Sequence, residues 1–133
     1  MSNYYILRSG AVDFVEERKT AISVRCIYSL FETENYSALI TAETYKVAKE
    51  LFLECERLAV EYNRDDLTIK RDGNFSRIQF GKNKITAMSC KFDGSRIKDL
   101  RAKEIVVTDI LLKDRKIIQN IVFGIYSGGD SGA

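Results

Sequence analysis

The stretch Glu104-Ile105-Val106-Val107-Thr108-Asp109 is the part of the sequence that decides the expected fold. Its three consecutive β-branched residues lack the alternation of a strand that is exposed on one face. We therefore expect a strand covered on both faces, as in a parallel sheet flanked by helices. Asp109 would stand at its carboxyl end, where nucleoside-triphosphatases hold a magnesium ion. A core strand with a polar exit gives the same pattern, so both interpretations stay open.

Strand and helix patterns alternate before this stretch, which predicts right-handed crossovers and a mainly parallel sheet. A short strand is expected at residues 4–7 and another at 37–41. Apolar residues spaced three or four apart predict a helix over 21–31 and a second helix from about 44 to 62. Further on, three short strand-like pieces are separated by turn residues and predict an antiparallel hairpin or meander, at 67–70, 77–80 and 85–88.

The length and composition indicate a single globular domain. With 133 residues, 45% of them hydrophobic and 30% charged, the chain can bury a core of its own. We expect one domain over residues 1–126 and a flexible, glycine- and serine-rich tail over 127–133. The sequence shows neither a signal peptide nor a long apolar run, which predicts a cytoplasmic protein that does not contact membranes.

The cysteine and histidine content excludes several kinds of site. The sequence has no histidine, and its cysteines are Cys26, Cys55 and Cys90, which are widely separated. A Ser-His-Asp triad, a Cys-His nucleophile or a zinc site of cysteine and histidine cannot be assembled from this chain alone. We expect the cysteines to be buried, reduced thiols that pack as small apolar side chains.

Two basic segments are candidates for contact with nucleic acid. The net charge of +2 gives no strong general attraction to phosphates, so binding would depend on local clusters. Acidic residues interrupt the second segment, which favours a solvated face over a nucleic-acid site there. The candidates are Lys82 and Lys84 at the predicted hairpin tip, and Arg96, Lys98, Arg101 and Lys103 after it.

With this order of elements, the chain resembles the amino-terminal ATPase core of the large terminase subunit, the motor that packages DNA in tailed phages. The resemblance covers most of the chain and implies a three-layer α/β fold with a mainly parallel sheet of P-loop NTPase type and an added β-hairpin. It rests on the following pieces: Tyr4-Tyr5-Ile6-Leu7, Lys19-Thr20 and the helix after it, Ser37-Ala38-Leu39-Ile40-Thr41-Ala42, Thr44-Tyr45, Arg77-Ile78-Gln79-Phe80, Lys84-Ile85-Thr86-Ala87 and Ile105-Val106-Val107-Thr108-Asp109.

The chain departs from that family at both chemical motifs. Counted back from Lys19-Thr20, the two glycine positions of the phosphate loop hold Asp13 and Arg18. Side chains there would obstruct the close approach of phosphate to the backbone. The glutamate that activates water in the family is replaced by Ile110, which cannot orient water or accept a proton.

The resemblance and its departures lead to two main hypotheses. The first is a phage or prophage protein that has lost catalysis and binds DNA or a phage or host protein, without a cofactor, in an infected or lysogenic bacterial cell. The alternative is a nucleotide-binding ATPase completed in trans within a packaging motor, with Lys19 on the phosphates and Thr20 and Asp109 on magnesium. An accidental resemblance in an ordinary α/β interaction domain is a third interpretation. Self-association through a sheet edge is compatible with each.

Overall fold

The computed structural model describes residues 4–8, 11–15, 19–73, 75–89 and 102–108, together with positions 115 and 119. These residues include two helices, α1 (Lys19–Glu32) and α2 (Tyr45–Glu61). They also include seven strands, which in chain order are β1 (Tyr4–Arg8), β2 (Ala11–Val15), β3 (Ser37–Ala42), β4 (Leu67–Arg71), β5 (Phe75–Phe80), β6 (Asn83–Ser89) and β7 (Glu104–Thr108).

The seven described strands form one mixed sheet in the order β2-β1-β7-β3-β6-β5-β4. The pairs β3 with β6 and β3 with β7 are parallel, and the other four pairs are antiparallel. The predicted mainly parallel, three-layer sheet of P-loop type is therefore wrong. The strand at residues 4–8 does lie beside β7, but it runs antiparallel, with Tyr4 opposite Thr108 and Arg8 opposite Glu104.

A hairpin at the start of the chain causes this difference. Sequence analysis predicts no strand at 11–15, but these residues form β2, which pairs antiparallel with β1. Only two residues, Ser9 and Gly10, connect β1 to β2. Parallel neighbours need a crossover of about a dozen residues, whereas a two-residue link that contains glycine suits a hairpin. As a result, β2 rather than β1 leads into α1.

Both helices pack on one face of the sheet and against each other. Thr44 caps α2, because its side chain accepts a hydrogen bond from the Val47 amide at 3.3 Å. At the other end of the helix pair, the rings of Phe31 and Tyr62 stack with centroids 4.3 Å apart. The core between helices and sheet is built from fully buried side chains, which include Ile22, Ile27, Leu30, Ile40, Leu51, Phe52, Ile85 and Val106.

The centre of the sheet is buried on its second face as well. Leu7, Ile105 and Leu39 are neighbours on β1, β7 and β3, and each is at most 4% exposed. They alternate along their strands with Ile6, Val106 and Ile40, which belong to the helix-side core. The strand at 105–107 is therefore buried on both faces as expected, but both described helices lie on one face, so the expected cover by helices on both faces is not found among the described residues.

Cys26 and Cys55 are buried and not cross-linked, which confirms the expectation for these two thiols. A hydrogen bond with Cys26 and burial raise the pKa of the Cys55 thiol well above its ordinary value. Cys90 lies outside the described residues. In the part of the chain that the structure describes, no helix is long and apolar enough to cross a membrane.

Candidate nucleic-acid interface

Three of the predicted basic residues lie at the end of the sheet where β3 and β6 begin. We call Lys82, Lys84 and Lys103 the basic edge. Lys84 lies opposite Ser37 in the β3 and β6 ladder, and the backbone amide of Lys103 donates to the Ser37 carbonyl at 2.9 Å. Lys84 and Lys103 therefore flank the start of β3 from two sides. Lys82 is exposed in the turn between β5 and β6. The predicted contacts at Arg96, Lys98 and Arg101 lie outside the described residues.

Asn83 fixes the position of this basic edge. Its side chain is only 8% exposed and joins the start of β6 to the end of α1. The amide nitrogen donates to the carbonyls of Leu30 at 2.8 Å and Thr33 at 2.6 Å, and the amide oxygen accepts from the Tyr36 backbone at 2.7 Å. Because carbonyls at a helix C-terminus lack partners within the helix, Asn83 acts as a side-chain cap. The turn that carries Lys82 is thereby tied to the core.

This edge is mixed in charge rather than purely basic. The Tyr36 hydroxyl donates to Glu104 Oε1 at 2.8 Å, which places a carboxylate beside Lys103. Burial, followed by the neighbouring Cys26 and Glu104, raises the pKa of Tyr36, so the hydroxyl stays protonated at neutral pH. Glu32 and Glu34 line an adjacent cleft of about 490 Å³ together with Lys82. A phosphate backbone would meet carboxylates as well as lysines here.

The strongest basic surface lies on the sheet face opposite the helices, over β4, β5 and β6. Ile78 and Ile85 point toward the helices, so the residues that alternate with them point away. Lys70 pairs with Arg77 across β4 and β5, and Arg77 pairs with Thr86 across β5 and β6. We call this surface the basic sheet face and define it by Lys70, Phe75, Arg77, Gln79 and Lys84.

Phe75 lies among the cations of the basic sheet face. Lys70 Nζ is 5.7 Å and Arg77 Cζ is 5.8 Å from the centre of its ring. Each contact is within the range of a cation–π attraction, which is worth about 0.5 to 1 kcal/mol at exposed sites. Arg77 is also oriented from β6, because its Nε donates to Thr86 Oγ1 at 3.1 Å. The ring and the two cations therefore form one local group.

The charges of the basic sheet face are not neutralised by the described residues. On this face of β4, β5 and β6, the described positions hold three cations and no carboxylate. Among the described residues, the ion pairs of the arginines are elsewhere: Arg57 with Glu54 and Glu61, Arg64 with Asp66, and Arg71 with Glu56. Lys70 and Gln79 are exposed, and Phe75, Arg77 and Lys84 are half-buried. The face is thus positively charged and accessible at β4 and β5, whereas Thr86 and Met88 of β6 are buried.

No protein-family model, curated protein or solved structure matches the chain.

The residues of the predicted nucleotide site are arranged differently from a phosphate loop. Lys19 and Thr20 are exposed in the first turn of α1, whereas Asp109 lies outside the described residues. The strand that leads into α1 is β2, which is two strands away from β7, or about 10 Å at the usual strand spacing. Lys19 lies near Glu54 of α2, whose carboxyl pKa is lowered first by a hydrogen bond from Arg57 and to a small extent by Lys19.

Carboxylates dominate among the described residues around the carboxyl end of β7, where the sequence predicted the magnesium ligand. Glu43 Oε2 accepts a hydrogen bond from Thr108 Oγ1 at 3.0 Å, next to the position of Asp109. Burial raises the pKa of Tyr4, which lies opposite Thr108, and the charges of Glu50 and Glu43 raise it further. The described residues contain no group of three or more histidine, cysteine or acidic side chains that could hold a metal ion.

Sequence reasoning missed Lys70, Phe75 and Arg77 as a group. The available signal was the alternation of polar and apolar residues in 67–71 and 75–80, which puts these three side chains on the face opposite the apolar ones. What the sequence did not supply was the register, which pairs Lys70 with Arg77 and brings Phe75 beside them.

Proposed function

We propose that this chain is a non-catalytic nucleic-acid-binding protein that holds a phosphate backbone on its basic sheet face. The observation that carries this proposal is the set of three unpaired cations, Lys70, Arg77 and Lys84, on described strand positions without a carboxylate. Neutralising phosphates and releasing their counterions supplies most of the affinity of sequence-independent binding.

The layout of the cations favours an extended anion over a small one. Lys70, Arg77 and Lys84 lie on three adjacent strands, which are spaced about 4.8 Å apart. They form a track across the sheet rather than a pocket that encloses a single phosphate. Arg77 is held by Thr86, which limits the entropy it loses when it binds phosphate. Lys82 and Lys103 lie at the neighbouring edge, where the carboxylates of Glu32, Glu34 and Glu104 are also present.

The proposal gives the chain no catalytic step. The sequence contains no histidine, and isoleucine stands at position 110, where the resembled family has its catalytic glutamate. The carboxylates near Thr108 would repel a nucleoside triphosphate at the carboxyl end of β7. Binding therefore accounts for the described surface better than hydrolysis does.

Fluorescence anisotropy with labelled DNA oligonucleotides at several salt concentrations tests the proposal. We expect binding that weakens as salt rises, and a large loss of affinity when Lys70, Arg77 and Lys84 are replaced together by glutamine. The salt slope should fall by about 0.7 to 0.9 for each phosphate contact removed. Charge-preserving replacement of Lys70 and Lys84 by arginine should retain binding.

A matched control removes the same charge from the other side of the protein. Lys46, Lys49 and Arg57 lie on α2, and their replacement by glutamine changes the net charge by the same amount. This variant should bind nucleic acid nearly as well as the unaltered chain. Salt-independent binding, no binding, or equal losses in both triple variants would refute the proposal.

A further inference from the structure

We propose that the basic sheet face selects single-stranded nucleic acid and stacks an unpaired base on Phe75. This inference rests on the proposed function and names the substrate class of the same site. It follows from the position of an aromatic ring on the sheet face opposite the helices, beside two neighbouring cations that can hold the phosphates next to a stacked base.

The position of Phe75 is not the one that packing alone would favour. The neighbouring aromatic residue on β5, Phe80, packs against the helix-side core and contacts the ring of Phe31 edge-on, with centroids 4.8 Å apart. Phe75 is instead half-buried on the opposite face, where Lys70 and Arg77 lie near its ring and Met88 is its cross-strand partner. An aromatic ring kept at the surface among cations provides a stacking platform, because every nucleobase has an apolar face and a charged backbone nearby.

The shape of the surface argues against a duplex as the preferred ligand. Proteins read duplex DNA by placing a helix or a two-stranded ribbon into a groove. Among the described residues, the basic sheet face is the broad side of three adjacent strands, with no helix or ribbon projecting from it. In a duplex the bases already stack on one another, so Phe75 would contribute nothing and only the cations would touch phosphates. In a single strand the bases can splay out and stack on the ring.

Base stacking on Phe75 and phosphate binding by the nearby cations should reinforce each other. Lys70 and Arg77 are direct cross-strand partners, and each lies near the ring of Phe75. A base on Phe75 therefore brings its own phosphates within reach of both side chains. Arg77 can also stack on a base through its planar guanidinium group. The site is thus expected to bind one stacked nucleotide tightly and its neighbours mainly through charge.

The absence of tryptophan from the sequence permits a direct optical test. In the Phe75→Trp variant, the only tryptophan stands on the proposed platform. We expect single-stranded DNA and RNA oligonucleotides to quench its fluorescence, and a duplex of the same length to leave it nearly unchanged. The matched control is Tyr28→Trp, which places an exposed tryptophan on α1, where no oligonucleotide should alter the signal.

Affinity measurements separate this inference from the proposed function. Unaltered protein should bind single strands at least about 5-fold more tightly than duplex, and Phe75→Leu should weaken single-strand binding by about 5- to 150-fold. Duplex binding by Phe75→Leu should remain unchanged, which also shows that the variant is folded, and Phe75→Tyr should retain the preference. Equal affinity for both forms, or single-strand binding by Phe75→Leu at the unaltered level, would overturn the inference while leaving the proposed function intact. Failure to bind either form would overturn both.

Discussion

Replacing Asn83 with alanine should lower the free energy of unfolding by about 3 kcal/mol. The Asn83 side chain makes three short hydrogen bonds inside the protein. Each such bond contributes about 1 kcal/mol net. The bonds measure 2.6 to 2.8 Å and connect β6 to the end of α1 and to the start of β3. Since Asn83 is 8% exposed and Tyr36 is 4% exposed, water can replace the lost partners only poorly.

Urea or thermal unfolding followed by circular dichroism measures this effect. For a domain of this size, the midpoint of thermal unfolding should fall by about 10 °C. Gln79→Ala is a matched control, since Gln79 is an exposed amide that makes one 3.2 Å bond to the Gly81 carbonyl, and its loss should cost less than about 0.5 kcal/mol. If Asn83→Ala were no more destabilising than this control, the cap would not hold the basic edge in place.

Three other outcomes follow from the described contacts. Burial raises the pKa of Tyr36 and Tyr4 above the ordinary 10.0. Stability that is present below pH 10 should therefore be lost above it, by up to about 1.4 kcal/mol per pH unit for each tyrosine. Urea titrations at increasing pH should show a smaller alkaline loss of stability in Tyr36→Phe. Arg71→Gln removes an exposed ion pair with Glu56 and should change stability by less than about 1 kcal/mol in the same titrations. Calorimetric titration of the unaltered chain with ATP and magnesium should show no binding. Binding that is lost in Lys19→Ala would instead support the alternative ATPase hypothesis.

The sequence allowed most helices and strands to be located, but not the direction in which all of them run. The apolar run at 105–107 correctly predicted a strand buried on both faces. Burial reports what covers a strand and says nothing about the polarity of its neighbours, and β7 has one parallel and one antiparallel neighbour. The strand that sequence analysis did not predict is β2, because the acidic residue Asp13 makes this segment resemble a loop. The hairpin of β1 and β2 reverses one edge of the expected sheet.

The candidate site was predicted only in part, for a related reason. Lys82, Lys84 and Lys103 were recognised because they fall in clusters along the chain, and the structure brings them to one edge. Lys70 and Arg77 are seven positions apart in sequence and become neighbours only through the register of β4 and β5. Register depends on the turn between the strands and on which face is buried, so charge clustering along the sequence does not reveal it.

The second face of the sheet divides into a closed half and an open half, and the strand sequences explain why. β3 and β7 carry apolar or small residues at nearly every position, so both of their faces need cover, and Leu39 and Ile105 are buried on the face opposite the helices. β4 and β5 direct Leu67, Ile69, Ile78 and Phe80 toward the helices and place mainly polar residues on the other face, where Phe75 is the apolar exception. Cations there contribute little to the core, and their desolvation by a protein partner would be costly, whereas a phosphate backbone compensates their charge directly. The open half is therefore the part of the sheet where the proposed contact with nucleic acid would not weaken the fold.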